Sequence, residues 1–180
     1  MSTFGSGWMK QRSAIRCAGI GSKATAGTVK GSKLLDLTVA DVTTIQPERT
    51  FWDKVVILHG QRRWFERRGE LRRQGQRVSR HYYDIYRLLR SDVGQRAARD
   101  LDLARDCARH ARMFFNSSEL DLATAHPGTF ALSPLPEMDT QLRRDYTAMA
   151  GMIFGEVPEW ETIVETIRQF EEQINEGATR

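Results

Sequence analysis

Apolar residues recur at the spacing of an α-helix on both sides of an arginine-rich segment near the middle of the chain. The first helix is predicted to begin at Pro47, since proline suits the first position of a helix. Its apolar stripe comprises Phe51, Val55 and Leu58. Ser79 is predicted to cap the second helix. The stripe of that helix comprises Tyr82, Ile85, Tyr86 and Leu89. The pattern therefore predicts two helices joined by a basic loop.

Helical spacing continues in the C-terminal part of the chain. It extends over residues 92–116, over a segment that Asp139 is predicted to cap, and over residues 158–175. Residues 117–136 contain a Pro-Gly pair and two further prolines, which indicates a connection rather than a regular element. Most of the chain after the first helix is therefore predicted to be helical.

A different period precedes the first helix. Leu35, Leu37 and Val39 alternate with three less apolar residues, which is the pattern of a half-buried strand. This alternation therefore predicts a small β element at residues 34–45. Together with the helical segments, this predicts a mainly α (α+β) fold with a small N-terminal β element.

The first 33 residues differ from the remainder. They contain no acidic residue, are rich in glycine and serine, and show no sustained period of 2 or 3.6. We predict a poorly ordered basic leader at residues 1–33, followed by one helical domain at residues 34–180.

The composition limits the class of protein. Charged residues make up 28% of the chain, the mean hydropathy is −0.51, and no run approaches the ~20 apolar residues of a membrane helix. The N-terminus lacks the apolar stretch of a secretory signal. Cys17 and Cys107 lack the spacing of a metal or redox motif. These features predict a cytoplasmic protein without a membrane partner.

Basic charge is concentrated in one segment. The net charge is +4, and eight arginines lie in and after the end of the first helix. They are Arg62, Arg63, Arg67, Arg68, Arg72, Arg73, Arg77 and Arg80. Arginines so placed can bind phosphates in bidentate fashion, with Trp64 and Phe65 as stacking surfaces. In the alternative, they pair with Glu66 and Glu70 while the aromatic side chains enter the core.

Two motifs combine a core-forming aromatic run with charged residues at fixed places. Residues 47–60, PERTFWDKVVILHG, and residues 77–89, RVSRHYYDIYRLL, resemble the C-terminal half of the AbiEii-type nucleotidyltransferase toxins of type IV toxin–antitoxin and phage-abortive systems. The likeness extends over residues 39–175. It implies the helical C-terminal portion of a nucleotidyltransferase-like fold.

The resemblance also implies site residues. Lys54 in RTFWDK matches the family lysine that contacts nucleotide phosphates, and Asp84 in SRHYYD matches a later aspartate of the active site. Arg49, Arg77 and Arg80 are the candidate substrate-binding residues. In the alternative, Lys54 pairs with a carboxylate on its own helix, and Asp84 pairs with the arginines four residues before and three residues after it.

The family pattern is incomplete in the N-terminal part. No Asp-x-Asp pair precedes Pro47, so the ligands of the implied Mg²⁺ are not identifiable in this chain. Asp36, on the polar face of the predicted strand, is a weak candidate. Asp100 and Asp102 lie on a predicted helix, where they would not reproduce the geometry of a strand pair. The pattern indicates an N-terminally truncated copy of the family fold.

Three functions follow from the resemblance and remain open. The first is transfer of nucleotides from a nucleoside triphosphate to RNA, such as the tRNA acceptor end, with Mg²⁺ as the implied cofactor. The second is binding of RNA or nucleotide by a catalytically inactive remnant. The third is binding of a cognate antitoxin through the helical surface.

Overall fold

The computed structural model describes residues 10–15, 39–72, 77–115 and 117–177. The chain divides into two compact units, Met1–Gln46 and Pro47–Arg180. The predicted leader falls mostly outside the described residues, and the predicted division at residue 33 stays a prediction.

The first unit contains a two-stranded antiparallel sheet. Strand β1 spans Lys10–Ile15 and strand β2 spans Val39–Ile45. Lys10 pairs with Ile45, and the register shifts between Ser13 and Ile15. The predicted β element is confirmed by β2. Asp36, Cys17 and the first part of the predicted strand lie outside the described residues.

The second unit is helical, which confirms the mainly α prediction. Its helices are α1 (Pro47–Arg68), α2 (Ser79–Leu89), α3 (Asp92–Ala97), α4 (Leu101–Phe114), α5 (Pro136–Met149) and α6 (Trp160–Glu176). Short 3₁₀ turns lie at Ser118–Leu120, Leu122–Thr124 and Ala150–Met152. Over the described ranges, no helix has both the length and the apolar character needed to cross a membrane.

Helix α1 lies at the centre of this unit, in contact with α2, α3, α4 and the first 3₁₀ turn. Trp52 is fully buried; its ring stacks on Phe130, and its indole N–H donates to the Ala97 carbonyl at 2.8 Å. Phe51 meets Phe170 edge-on, with ring centroids 5.4 Å apart. Burial of large aromatic side chains supplies much of the stability of such a core. Helix α1 is therefore anchored against several elements and can hold its polar residues at fixed positions.

The helix starts differ from the predictions at two places. Ser79 is the first helical residue of α2 rather than its cap, and both its backbone N–H and its hydroxyl donate to Asp145 Oδ2, at 2.8 and 2.6 Å. A carboxylate from α5 thus satisfies the N-terminus of α2 in place of a local cap. Helix α5 begins at Pro136, and Asp139 in its first turn accepts from Trp160 Nε1 at 2.6 Å.

The helix predicted over residues 92–116 is two helices. Helix α3 ends at Ala97, and α4 begins at Leu101 after Asp100, whose carboxylate accepts from the Leu103 N–H at 2.9 Å. This local cap offers the backbone an alternative to a continuous helix. The predicted helix covers both segments because the stripe of α4 alone does not mark where the preceding helix ends.

Gly94 permits the sharp connection between α2 and α3. A Cβ atom at this position would lie 1.9 Å from the Leu88 carbonyl oxygen, so the backbone would have to move. Gly94→Ala is therefore expected to reduce the free energy of unfolding by roughly 3 kcal/mol or more, as strain in a packed interior does. Urea denaturation of the purified chain measures this.

Gly151→Ala is the matched control for that substitution. Its added methyl group would meet nothing within 4 Å. The change should therefore stay within ~0.5 kcal/mol of the parent. Equal effects of the two variants would contradict the steric explanation.

Candidate active site

Lys54 and Asp84, the two residues that the motifs single out, form an ion pair between α1 and α2. Lys54 Nζ donates to Asp84 Oδ2 at 2.6 Å, and the side chains are 22% and 36% exposed. Among the described residues, Asp84 pairs with this lysine and not with an arginine of its own helix. Glu48, one alternative partner of Lys54, instead binds Arg96 at 2.8 Å. The structure therefore joins two residues that lie 30 positions apart in the sequence.

The positions of both residues follow from the apolar stripes of their helices. Lys54 precedes Val55, which is fully buried, and Asp84 precedes Ile85, which is fully buried. Each charged side chain therefore leaves its helix at the edge of the core. A half-buried position of this kind gives a charge less solvent screening than an open surface does. The contact places a cation and a carboxylate at the seam between α1 and α2.

A cavity of about 370 Å³ lies beside this seam. Its apolar wall comprises Val56, Ile57, Ala111, Phe115, Leu120 and Leu122. Its polar lining comprises Asp53, Gln61, Arg72, Arg80, His81 and His110. Gly60 also lines it; a Cβ there would lie 3.3 Å from the Leu122 side chain and 3.4 Å from that of Leu120. The absence of a side chain at Gly60 therefore allows the 3₁₀ segment to pack closely on α1.

Neither Lys54 nor Asp84 lines the cavity, but residues that line it lie within two turns of each of them on α1 and α2. Arg80 and His81 precede Asp84 by about one turn of α2, and Gln61 follows Lys54 by about two turns of α1. Burial, followed by the positive charges of Lys54 and Arg80, lowers the pKa of His81 to about 4. His81 is therefore neutral at pH 7, and it lies within electrostatic reach of the pair.

Gln61 and His81 each bring a buried polar side chain to the cavity lining. Gln61 is 3% exposed and His81 is 5% exposed. In the part of the chain that the structure describes, Gln61 Oε1 and His81 Nδ1 have no hydrogen-bond partner. Buried polar groups are nearly always paired in native proteins, so such atoms require an explanation.

The three candidate substrate-binding arginines occupy different surroundings. Arg49 donates to Asp106 of α4 at 2.9 Å. Arg77 is exposed and contacts the sulfur atom of Met152. Arg80 is exposed, lines the cavity and has no salt-bridge partner among residues whose positions are described. Of these three arginines, the structure brings only Arg80 to the cavity next to the Lys54–Asp84 pair.

Four arginines of the basic segment are engaged within the fold. Arg62 and Arg63 pair with Glu66, Arg67 pairs with Asp121, and Arg68 pairs with Glu119. The guanidinium groups of Arg68 and Arg72 lie over the Trp64 ring, 5.6 and 5.5 Å from its centroid, and Phe65 is buried. The predicted alternative of pairing with Glu66 therefore holds for Arg62 and Arg63, whereas Arg67 and Arg68 pair with carboxylates of the 3₁₀ segment and Arg72 also reaches the cavity.

The described residues contain no group of three or more His, Cys, Asp or Glu side chains that could hold a metal ion. Asp100 caps α4, and Asp102 pairs with Arg105 at 2.8 Å. Cys107 is a buried thiol whose pKa burial raises to about 12. At the seam between α1 and α2, the Asp84 carboxylate is already paired with the Lys54 ammonium group.

Sequence reasoning missed Gln61 and His81. The available signal is that each is a polar residue at a position that the neighbouring apolar stripe predicts to face inward. Gln61 lies three residues after Leu58, and His81 lies four residues before Ile85. A polar residue at such a position is often paired in the core, so the sequence alone did not distinguish a cavity lining from a satisfied interior group.

Comparison with known proteins identifies one family. A family model described as nucleotidyl transferase AbiEii toxin, type IV TA system, matches residues 25–170. No curated protein and no solved structure matches the chain. The match covers most of the 180 residues, including both motifs and the Lys54–Asp84 pair. The chain therefore belongs to the AbiEii family of nucleotidyl transferase toxins of type IV toxin–antitoxin systems.

Proposed function

We propose that this protein binds a nucleoside triphosphate at the Lys54–Asp84 pair and transfers a nucleotide from it to RNA, such as the acceptor end of a tRNA. The observation that carries the proposal is the 2.6 Å contact between the two motif residues. A purely structural ion pair could form between many positions, whereas this pair joins the lysine of one motif to the aspartate of the other. Arg80 beside the pair adds a second cation for the phosphates.

Nucleotidyl transfer joins an RNA hydroxyl oxygen to the α-phosphorus and breaks the bond from that phosphorus to the bridging oxygen, so that pyrophosphate leaves and the hydroxyl proton passes to water. Negative charge develops on the phosphate oxygens, and cations fixed in place beforehand stabilise it. In the proposed site, Lys54 supplies such a cation. Asp84 holds the ammonium group in one orientation before the nucleotide binds, which reduces the reorganisation that the reaction requires.

Nucleotidyl transferases generally depend on a divalent metal ion as well as a nucleoside triphosphate. The described residues do not fit a protein-held Mg²⁺ by themselves, because they provide no cluster of metal-binding side chains. Further carboxylates would have to come from outside the described residues or from another chain. The roles proposed for Lys54, Asp84 and Arg80 therefore concern the phosphates only.

A second candidate function is binding without catalysis, either of RNA or nucleotide or of a cognate antitoxin. The absence of an Asp-x-Asp pair before Pro47 favours it. An antitoxin partner is implied by the family description. Under either function, we propose a role in phage defence. We also propose a cytoplasmic location, where nucleoside triphosphates and RNA are abundant.

Titration calorimetry of the full chain with each nucleoside triphosphate, with and without Mg²⁺, tests the proposal. Mg²⁺-dependent binding, accompanied by transfer of labelled nucleotide to RNA, is the expected result. Binding that is independent of Mg²⁺, weakens steeply with salt and yields no transfer would support the second function instead. Absence of any nucleotide binding would contradict a nucleotide site at Lys54 and Asp84.

A further inference from the structure

The unpaired atoms in the cavity indicate a missing hydrogen-bond partner. Gln61 Oε1 is an acceptor, and His81 Nδ1 is a donor or an acceptor according to the tautomer of the neutral ring. Both side chains are more than nine-tenths buried and line the same cavity. Leaving such groups unpaired destabilises a fold, and a ligand that pairs with them would remove the penalty.

We propose that the cavity receives the base of the bound nucleotide, and that Gln61 and His81 select adenine or cytosine, whose Watson–Crick edges present an amino donor next to a ring-nitrogen acceptor. This inference rests on the proposed function, because it assigns the base end of a ligand whose phosphates bind at Lys54. It adds a specificity for which the motifs of the sequence give no indication.

The lining of the cavity suits a flat, heteroaromatic ring. Its volume of about 370 Å³ lies within the range of small-molecule sites. Ile57, Leu120, Leu122 and Phe115 provide apolar contacts for the ring faces. The few polar groups at the wall then fix the orientation of the ring, as in most ligand pockets.

The hydrogen-bonding pattern determines which base fits. On the Watson–Crick edge, adenine and cytosine present an amino donor next to a ring-nitrogen acceptor, whereas uracil and guanine present a carbonyl acceptor next to a ring N–H. Gln61 Oε1 accepts from the amino group, and His81 with its proton on Nδ1 donates to the ring nitrogen. Asp53, a further acceptor at the cavity, also favours a donor on the ligand.

The distance between the two ends of the site suits a nucleotide. Gln61 lies seven residues after Lys54 on α1, which corresponds to ~10 Å along the helix axis. An extended nucleoside triphosphate bridges a separation of this size between its base and its outer phosphates. The positively charged Arg72 and Arg80 also line the cavity.

The test compares ATP, CTP, GTP, UTP and inorganic triphosphate by titration calorimetry of the full chain. The parent chain should bind ATP and CTP ~3- to 10-fold more tightly than GTP and UTP, the effect of about one net hydrogen bond. Gln61→Met, which keeps the length of the side chain but removes the acceptor, should abolish this preference and leave the affinity for inorganic triphosphate unchanged. His81→Phe is the second variant and should also abolish the preference.

Gln169→Met is the matched control, because Gln169 is exposed on α6 and does not line the cavity. It should retain the parent preference. Equal binding of all four nucleotides by the parent, or a preserved preference in folded Gln61→Met and His81→Phe, would overturn the base site alone. Failure of both the nucleotides and inorganic triphosphate to bind would overturn the proposed function together with it.

Discussion

Lys54→Met is expected to lower nucleotide transfer to RNA by roughly 100-fold or more, the loss typical of removing one preorganised charge-stabilising group. Its affinity for inorganic triphosphate should fall as well, so the effect can be seen in binding as well as in turnover. The ion pair is half-exposed, at 22% and 36%, so the free energy of unfolding should change by about 1 kcal/mol or less. Single-turnover reactions with a labelled nucleotide measure the rate of transfer, and urea denaturation measures the free energy of unfolding.

Asp84→Asn tests the positioning of the lysine. The amide keeps the size of the side chain but no longer attracts the ammonium group, so Lys54 loses its fixed orientation and transfer should fall by about 100-fold. Glu48→Gln is the matched control. It removes the carboxylate of another ion pair on α1, the 2.8 Å contact with Arg96, and should leave transfer unchanged.

A charge reversal separates a structural role from a functional one. The double variant Lys54→Asp with Asp84→Lys can restore an ion pair between α1 and α2 in the opposite direction. We expect it to recover the stability lost in either single reversal without recovering transfer or triphosphate affinity. Full recovery of transfer and of triphosphate affinity in the double variant would show that the pair serves only to join the two helices.

The helices and their buried faces could be predicted because helical periodicity reports burial directly. Phe51, Val55 and Leu58 on α1 and Tyr82 and Ile85 on α2 are all fully buried, as their spacing predicts. Helix starts were less predictable. The N-terminus of α2 is satisfied by Asp145, and no local pattern reveals a carboxylate 66 residues away.

The site could be predicted only in part, because it also depends on contacts between residues that are distant in the sequence. Family resemblance identified Lys54 and Asp84 as separate residues, but their contact depends on how α1 and α2 pack. The cavity depends on still more distant residues, since Leu120 and Leu122 close one wall against Gly60. Gln61 and His81 are candidate site residues because they line that cavity, and the sequence around each of them does not predict it.

Mild acid is expected to destabilise the second unit through two buried histidines. Burial is the main cause that lowers the pKa of both His59 and His81 to about 4, from an ordinary value of 6.5. His59 is neutral in the fold, with Nδ1 accepting from the Ala131 N–H at 3.1 Å and Nε2 3.2 Å from the Asp121 carbonyl. Protonation would place a charge in the core at each position.

The sign of the effect follows from proton uptake. Below pH 6.5 the unfolded chain protonates these histidines, whereas the folded chain does so only near pH 4, so stability falls as the pH drops through this window. Each histidine should contribute a slope of up to ~1.4 kcal/mol per pH unit, and a total loss of ~3 kcal/mol by pH 4. The carboxylates with lowered pKa values, such as Glu66 and Asp106, begin to add to the loss only near and below their ordinary values of 4.5 and 3.8.

Urea denaturation at half-unit steps from pH 8 to pH 5 measures the histidine contribution apart from the carboxylates. His81→Phe should remove about half of the slope between pH 6.5 and pH 5. Its stability relative to the parent should therefore be higher at pH 5 than at pH 8, because phenylalanine takes up no proton in the unfolded chain. His59→Gln should remove a similar share of the slope at a cost in stability at every pH, because it disrupts the contacts with Ala131 and Asp121. Between pH 7.5 and pH 8, where neither histidine titrates, the differences between each variant and the parent should be constant. A slope that both variants leave intact would mean that water reaches the two imidazoles in the folded chain, and such access at His81 would also remove the basis for a dry base site beside Gln61.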